Sequence, residues 1–301
     1  MRSNKVIAFG EIIWDILPSG RVLGGAPANF ATRLQSLGYE VTLVSRVGRD
    51  DLGLEALRQL GRQGMNLGLI GLDDHYPTGV ATVGVQIDGT PVFTIQSDVA
   101  YDHIPLTTQL LDSVRGADFF CFGSLAQRSE LSRATLRASL SATSATRVLD
   151  LNLRKDCFKP TTVMESLSLA DILKLNADEA HYLRTLLAWP QIDDHKLSQR
   201  LLEEFALDVC LITLGAEGVI AASRGQSPIH VPGFLVEVLD TCGSGDAFTA
   251  AFLDAYARGE SLFQACREGN ALGALVAATL GATTPISDHQ RQLLLQTPPC
   301  D

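Results

Sequence analysis

The stretch ILKLNADEAHYLRTLLAWPQIDDHKLSQRLLEEFALDVCLITL, residues 172–214, decides the architecture. It opens on a short apolar run, Ile172–Leu175, and closes on another, Val209–Leu214, each of strand length. Between them Ala177–Leu187 and His195–Phe205 carry apolar residues at helical spacing. Working towards the N-terminus, further strands are predicted at Lys5–Phe9, Val41–Val47, Phe119–Phe122 and Arg147–Leu151. Helices are predicted between them at Pro27–Leu37, Leu52–Leu60 and Glu130–Leu140, with Gly38, Gly61 and Gly64 as stop signals. Such alternation implies an α/β fold, a doubly wound, mostly parallel sheet with helices on both faces.

Two stretches break the rhythm. GVATVGVQIDGTPVFTI, residues 79–95, alternates β-branched residues around an Asp88-Gly89 turn signal, the mark of a hairpin. A hairpin has no place in a parallel sheet, so it should protrude as a small flap. A later hairpin is expected from Gly218–Ser223 and Ile229–Val238, followed by helices at Ala247–Ala257, Leu262–Leu280 and Gln290–Leu295.

Composition narrows the function classes. The 301 residues are 46% hydrophobic and 19% charged, ordinary for a folded chain, and the net charge is −10. That charge argues against nucleic acid or an acidic membrane surface as partner. The six cysteines are scattered without a CxxC pair, as expected of free thiols in a reducing compartment. The apolar run before Glu11 is too short for a signal peptide. Gly269–Ser287 is free of charge over about the length of a membrane span, but Asn270, Pro285, threonines and glycines make it a buried helix and loop. A cytoplasmic protein is expected.

None of the five lysines follows a glycine and no GxGxxG follows the first strand, which removes the P-loop and the dinucleotide fingerprint. The richest local signal is Asp240-Thr-Cys-Gly-Ser-Gly-Asp246, running straight into a helix. Small residues at Gly243, Ser244 and Gly245 would leave backbone N–H groups open at the positive helix end, an anion site. Asp246 beside it could take a proton from a hydroxyl attacking a bound phosphate, or could simply cap the helix. In Gly24-Gly25-Ala26-Pro27-Ala28-Asn29 the paired glycines would let a ligand approach the backbone. Asp15, read as ending the first β segment within GEIIWDILP, and Asn29 would suit vicinal hydroxyls. Polar or glycine-rich groups mark further strand ends: Asp150, Asn152 and Arg154 in DLNLR, Asn176 and Glu179 in KLNADEA, and Thr213, Gly215 and Gly218 in LITLGAEG. Each could be a cap or a turn; their recurrence at successive strand ends points to one crevice.

With these residues assembled, the chain resembles the PfkB (ribokinase-like) carbohydrate kinases from about residue 5 to 287. GGAPANFA (24–31), VGRDDLG (47–53), KLNADEA (174–180), LITLGAEG (211–218) and DTCGSGDAF (240–248) are similar to its motifs, in family order. GEIIWDILP, GGAPANFA and DLNLR look most like the fructokinase branch. The resemblance implies a single ribokinase-like domain over 1–301, with a small β lid contributed mainly by about 71–100. It implies phosphoryl transfer from ATP to a sugar, fructose first. Ribose, 2-keto-3-deoxygluconate, a nucleoside such as adenosine, or a non-catalytic sugar-binding regulator are the alternatives.

Residue by residue, it implies Asp246 as base, with Gly243, Ser244 and Gly245 as the anion hole. Asp15, Gly24, Gly25 and Asn29 would hold the sugar, and Arg154 would reach substrate or phosphates. Thr213, Gly215, Gly218 and Asn270 would serve the nucleotide, alongside Gly245. Asn176 and Glu179 would organise Mg²⁺ through water, and K⁺ is expected beside Asp240 and the Cys242 and Gly281 carbonyls. Pairing of two subunits through the lid edge is expected as well. Ser244 and Cys242 depart from the usual alanine and threonine, and neither change removes a group the reaction needs.

Overall fold

A computed structural model describes residues 4–17, 20–85 and 91–297. The strands are β1 (Lys5–Phe9), β2 (Ile13–Leu17), β3 (Gly20–Gly24), β4 (Glu40–Gly48), β5 (Ile70–Asp73), β6 (Gly79–Val85) and β7 (Pro91–Ile95). They continue with β8 (Phe119–Phe122), β9 (Thr146–Asp150), β10 (Ile172–Asn176), β11 (Val209–Thr213), β12 (Val219–Ser223) and β13 (Ile229–Val231). The helices are α1 (Ala26–Ser36), α2 (Asp51–Arg62), α3 (Thr108–Arg115), α4 (Glu130–Ala142) and α5 (Pro160–Leu169). After these come α6 (Ala177–Leu186), α7 (Asp194–Glu204), α8 (Ser244–Ala257), α9 (Leu262–Ala277) and α10 (Asp288–Gln296).

Nine strands form the main sheet in the order β13-β12-β11-β10-β9-β8-β1-β4-β5. All its pairings from β5 to β11 are parallel, and only β12 and β13 add antiparallel. The chain builds one half outward from β1 through β4 and β5, then returns to lay β8 on the other side of β1. That reversal opens a crevice at the carboxyl ends of the strands, the usual ligand position in open α/β sheets.

Alternate residues of each strand serve opposite faces, and both faces are covered. Ile7, Phe9, Phe120, Leu173 and Ile212 pack with α3 to α7, through Leu110, Leu136, Leu167, Leu183 and Leu201 among others. Val6, Ala8, Leu43, Phe119 and Leu211 pack with α1, α2, α8 and α9, through Phe30, Leu60, Phe252 and Ala265. This two-sided burial is why strands such as β1, β8 and β11 read as apolar runs and not as strict alternation.

The small sheet departs from the expected lid. Its four strands run β3-β2-β6-β7, so residues 13–24 contribute as much as the 79–95 hairpin. Ile70–Asp73, which overlaps the start of the expected 71–100 segment, instead pairs parallel with β4 in the main sheet. Parallel pairing of β2 with β6 joins two segments distant in sequence, which local turn signals cannot reveal. The turn signal Asp88-Gly89 and Cys300 lie outside the described residues. Three further boundaries moved. Asp15 sits within β2 of the small sheet, not at the end of β1. The DLNLR strand stops at Asp150, since Asn152 turns the backbone to φ 42°, so Asn152 and Arg154 do not continue its alternation. The last hairpin strand ends at Val231, where Pro232 can no longer donate to the ladder.

Candidate active site

The site is built on strand ends and two helix starts. Asp150, Lys174 and Asn176 come up side by side, because Lys174 lies opposite Asp150 and Asn176 opposite Thr213 in the parallel registers. Over them stands the N-terminus of α8, whose cap Gly243 takes a left-handed φ of 76°. A side chain there would run into Ala282 at 2.5 Å. The N–H groups of Gly245 and Asp246 take no protein acceptor among the described residues. Ser244 behaves differently from its neighbours: its N–H and its hydroxyl both turn back to the Thr241 carbonyl, at 3.2 and 2.8 Å.

Asp246, in the first turn of α8, is half-buried and accepts a 2.9 Å hydrogen bond from Asn29 Nδ2 of α1. The other amide atom of Asn29, its Oδ1, is buried without a partner among the described residues. Burial, helped by the Asp150 carboxylate, pushes Asp246 up to about 7, against the Asn29 bond and the attraction of Lys174 and Arg154.

Beneath α8, Lys174 is buried and donates to both oxygens of Asp150, at 3.1 and 3.2 Å. Burial opposes its charge, yet Asp150, Glu179 and Asp246 outweigh that and hold it above the ordinary lysine range. Thr249 Oγ1 extends the same network, its one proton within reach of Gly245 O at 3.0 Å or Asp150 Oδ2 at 3.4 Å. Beside it Glu11, Cys121, Ser124, Asp150, Asp246 and Thr249 enclose a cavity of about 30 Å³.

Asp15 and Asn29 meet the same site from the small sheet and α1. Burial raises Asp15, with Arg154 opposing and Asp240 adding to the rise, so these groups lie within one another's field. The glycine pair also lies close against the protein's own atoms. A side chain at Gly24 would come within 2.8 Å of the Asp15 carboxylate, and one at Gly25 within 2.4 Å of the Glu11 carbonyl. At Gly25 the close neighbour is backbone, and this glycine holds φ 108° to make the turn into α1. Arg154 is exposed, and its charge acts on Glu11, Asp15 and Asp246.

Further along the strand ends, Thr213, Gly215 and Gly218, expected from the sequence to serve a nucleotide, form the turn from β11 to β12. A side chain at Gly218 would meet the Val231 carbonyl at 2.2 Å. Asn270 of α9 is buried and donates to the Val231 and Pro232 carbonyls, both at 3.0 Å, so Gly218 and Asn270 converge on one segment.

The residues expected at cations divide into two groups. Asn176 and Glu179 form a reciprocal cap on α6: Glu179 N–H donates to Asn176 Oδ1 at 2.9 Å, and Asn176 N–H to Glu179 Oε2 at 2.8 Å. Glu179 Oε1 accepts from Leu153 N–H at 2.7 Å, so each carboxylate oxygen already holds a backbone donor. No group of three or more His, Cys, Asp or Glu residues suited to a metal occurs among the described residues. Asp240, by contrast, ties its two expected companions together, accepting from Cys242 N–H at 2.9 Å and Gly281 N–H at 3.1 Å.

Sequence reasoning missed Lys174 and Arg33. A lone charge in the apolar strand ILKLN was the available signal for Lys174. Arg33 is buried in α1, donates to the Ala282 and Thr284 carbonyls at 2.6 and 2.7 Å, and is lowered to about 10 by burial although Asp246 attracts it. Nothing in its helical spacing distinguishes it from a surface arginine.

Comparison with known proteins supplies the family and the fold. Residues 19–289 match the pfkB family carbohydrate kinase family. The fructokinase of Escherichia coli is 30% identical over 268 residues, 83% of this chain and 84% of that one. The aminoimidazole riboside kinase of Salmonella typhimurium is 28% identical, covering 94% and 92%. The structure of Xylella fastidiosa fructokinase with bound ATP superposes with a TM-score of 0.86 at 24% identity, covering 98% and 99%, which establishes the fold. The doubly wound sheet and the motif order point the same way, and the family match spans most of the chain: this protein belongs to the pfkB family of carbohydrate kinases and is an ATP-dependent sugar kinase.

Proposed function

We propose that this kinase phosphorylates a hydroxyl of fructose, with Asp246 as the base. The observation that carries the reading is the Asn29–Asp246 pair at the start of α8, with Asn29 Oδ1 left open beside it. Asp246 takes the proton of the attacking hydroxyl, whose oxygen bonds the γ-phosphorus while the bond to the departing ADP oxygen breaks. Asn29 Oδ1 is the acceptor for a neighbouring sugar hydroxyl, and Asp15, beside Gly24, holds the sugar from the small sheet. The Gly245 and Asp246 N–H groups, with the positive end of α8, stabilise charge on the transferring phosphoryl. Ser244 serves by shape, its donors being committed to Thr241. Arg154 bears on the phosphates from solvent, and the turn at Thr213, Gly215 and Gly218 with Asn270 receives the nucleotide.

Mg²⁺ arriving with the nucleotide would neutralise its phosphates. Glu179 fits that ion by accepting from its water, since both carboxylate oxygens hold backbone donors. Asp240 gathers Cys242 and Gly281 through their N–H groups, and with those residues' carbonyls it would offer hard oxygens for K⁺. The small sheet acts as the lid, closing over sugar to exclude water, and its β7 edge is where a second subunit would pair. The described cysteines are all free, which supports a cytoplasmic setting. No helix among the described residues is long and apolar enough to cross a membrane.

ADP release with Mg²⁺-ATP and K⁺ across fructose, ribose, 2-keto-3-deoxygluconate, adenosine and aminoimidazole riboside tests the reading. Turnover highest on fructose is the expected result; turnover highest on another compound replaces the substrate. Binding without turnover on every one of them overturns the catalytic assignment.

A further inference from the structure

We propose that Lys174 is a positioning residue for phosphoryl transfer: locked onto Asp150 beneath the first turn of α8, it is the fixed cation that balances the carboxylates around the reacting hydroxyl. The inference rests on Asp246 as base and extends it to a group in a different element.

Burial of Lys174 is extreme for a lysine, with only 8% of its side chain exposed, and its ion pair with Asp150 is comparably hidden at 17% for the carboxylate. Buried pairs of this kind are poor devices for stability, because desolvating two ions offsets most of their attraction, and apolar residues of like volume do as well or better. What singles this pair out is where it stands. Lys174 Nζ lies 3.0 Å from the point a side chain on Gly245 would occupy, directly under the phosphoryl-binding turn. Its field reaches Glu179 and Asp246 as well as Asp150. Thr249 Oγ1, within hydrogen-bond reach of both Asp150 and the Gly245 carbonyl, brings β9, β10 and the start of α8 together at this point.

The charges facing Asp246 account for the need. Asp150 from β9 repels it; Arg33 from α1 and Arg154 from the loop after β9 attract it. Arg33 is committed to the carbonyls of Ala282 and Thr284, and Arg154 stands in solvent where its field is screened. Lys174 is the cation fixed beneath the turn and paired to Asp150, and without it that carboxylate would face an incoming phosphoryl group uncompensated, the guanidinium of Arg33 being turned to the carbonyls of Ala282 and Thr284.

The test separates stability from catalysis. Lys174→Met, Asp150→Asn, the double variant and Asp246→Asn are compared with wild type for kcat, KM and Tm, on the sugar that wild type uses. Lys174→Met should lose kcat by about a hundredfold, as when a fixed transition-state donor is removed, with KM for sugar and ATP close to wild type. It should also lose stability, because Asp150 is left buried and unpaired. Asp150→Asn should keep kcat within roughly tenfold, the range of a modest electrostatic change. The double variant, with both charges gone, should recover Tm while kcat stays at the Lys174→Met level. Recovery of kcat along with Tm would make the pair merely structural and overturn the proposal. So would Asp150→Asn alone falling as far as the double variant. Asp246→Asn retaining turnover is a separate result that removes the base assignment instead.

Discussion

At the scale of single residues, Asp246 is where placement and chemistry meet. Substitution by asparagine keeps an oxygen for Asn29 Nδ2 but cannot take a proton. Asp246→Asn should therefore lower kcat by roughly 10²–10⁴-fold, the range of a general base, with KM for ATP little changed in ADP-release kinetics. Since Asp246 is pushed up to about 7, the pH profile of kcat/KM should carry an acid limb there and fall roughly tenfold per pH unit below it. Asn29→Ala removes a bond that lowers this value, so its limb should move to higher pH; a limb that stays in place would detach Asn29 from the base. The linkage has a definite sign. A carboxyl raised in the folded state binds its proton more tightly than in the unfolded chain, so its contribution to stability is present at low pH and lost as pH rises through about 7. At pH 8 Asp246→Asn should thus melt at or above the wild-type temperature.

At the scale of elements, the motifs turn out to serve the backbone and the site together. The NADE turn starts α6 with a reciprocal cap, and Glu179 also holds Leu153 N–H of the loop after β9. Asn176→Ala should cost about 1 kcal/mol in urea unfolding, the usual loss of a side-chain N-cap. Glu179→Ala should cost more, because it orphans two backbone donors at once. The Gly243-Ser244-Gly245 turn at the start of α8 was legible in the sequence because a cluster of small residues running straight into a helix is a local signal. The role of Gly24 and Gly25 was not, because the atoms that forbid a side chain there belong to Asp15 and Glu11, and the latter is remote along the chain. DLNLR misled for a related reason: alternation predicts one face only while the strand lasts, and it ends at Asp150.

At the scale of the whole molecule, two sheets meet at the site, and each supplies part of it. Asp15 and Gly24 come from the small sheet, while Asp150, Asn176 and Thr213 end strands of the large one. A sugar seated between them should couple the sheets. At a hundred times Kd each ligand adds about 2.7 kcal/mol to the folded state, so sugar with a non-hydrolysable ATP analogue should raise Tm by several degrees. Hydrogen exchange should slow in β2 and β6 on adding sugar, and an unchanged rate there would remove the small sheet from the binding reading. The α/β alternation was legible throughout, because two-sided burial writes strands such as β1, β8 and β11 as apolar runs. The composition of the small sheet was not, since β2 and β6 pair across more than 60 residues with no local mark of it.

Sequence alone determined the parallel sheet, the helix that starts at the glycine turn, the absence of P-loop and dinucleotide fingerprints, and the order of the family motifs. These are properties of neighbours along the chain, where periodicity and turn chemistry act. Only the tertiary structure decided that Asn29 faces Asp246, that Asp15 lies in a second sheet, that Glu179 is occupied by backbone donors, and that Lys174 is buried against Asp150 beneath the start of α8. Those facts come from strand register and helix packing, which bring distant residues within hydrogen-bond reach, and their energies depend on burial that no local pattern encodes.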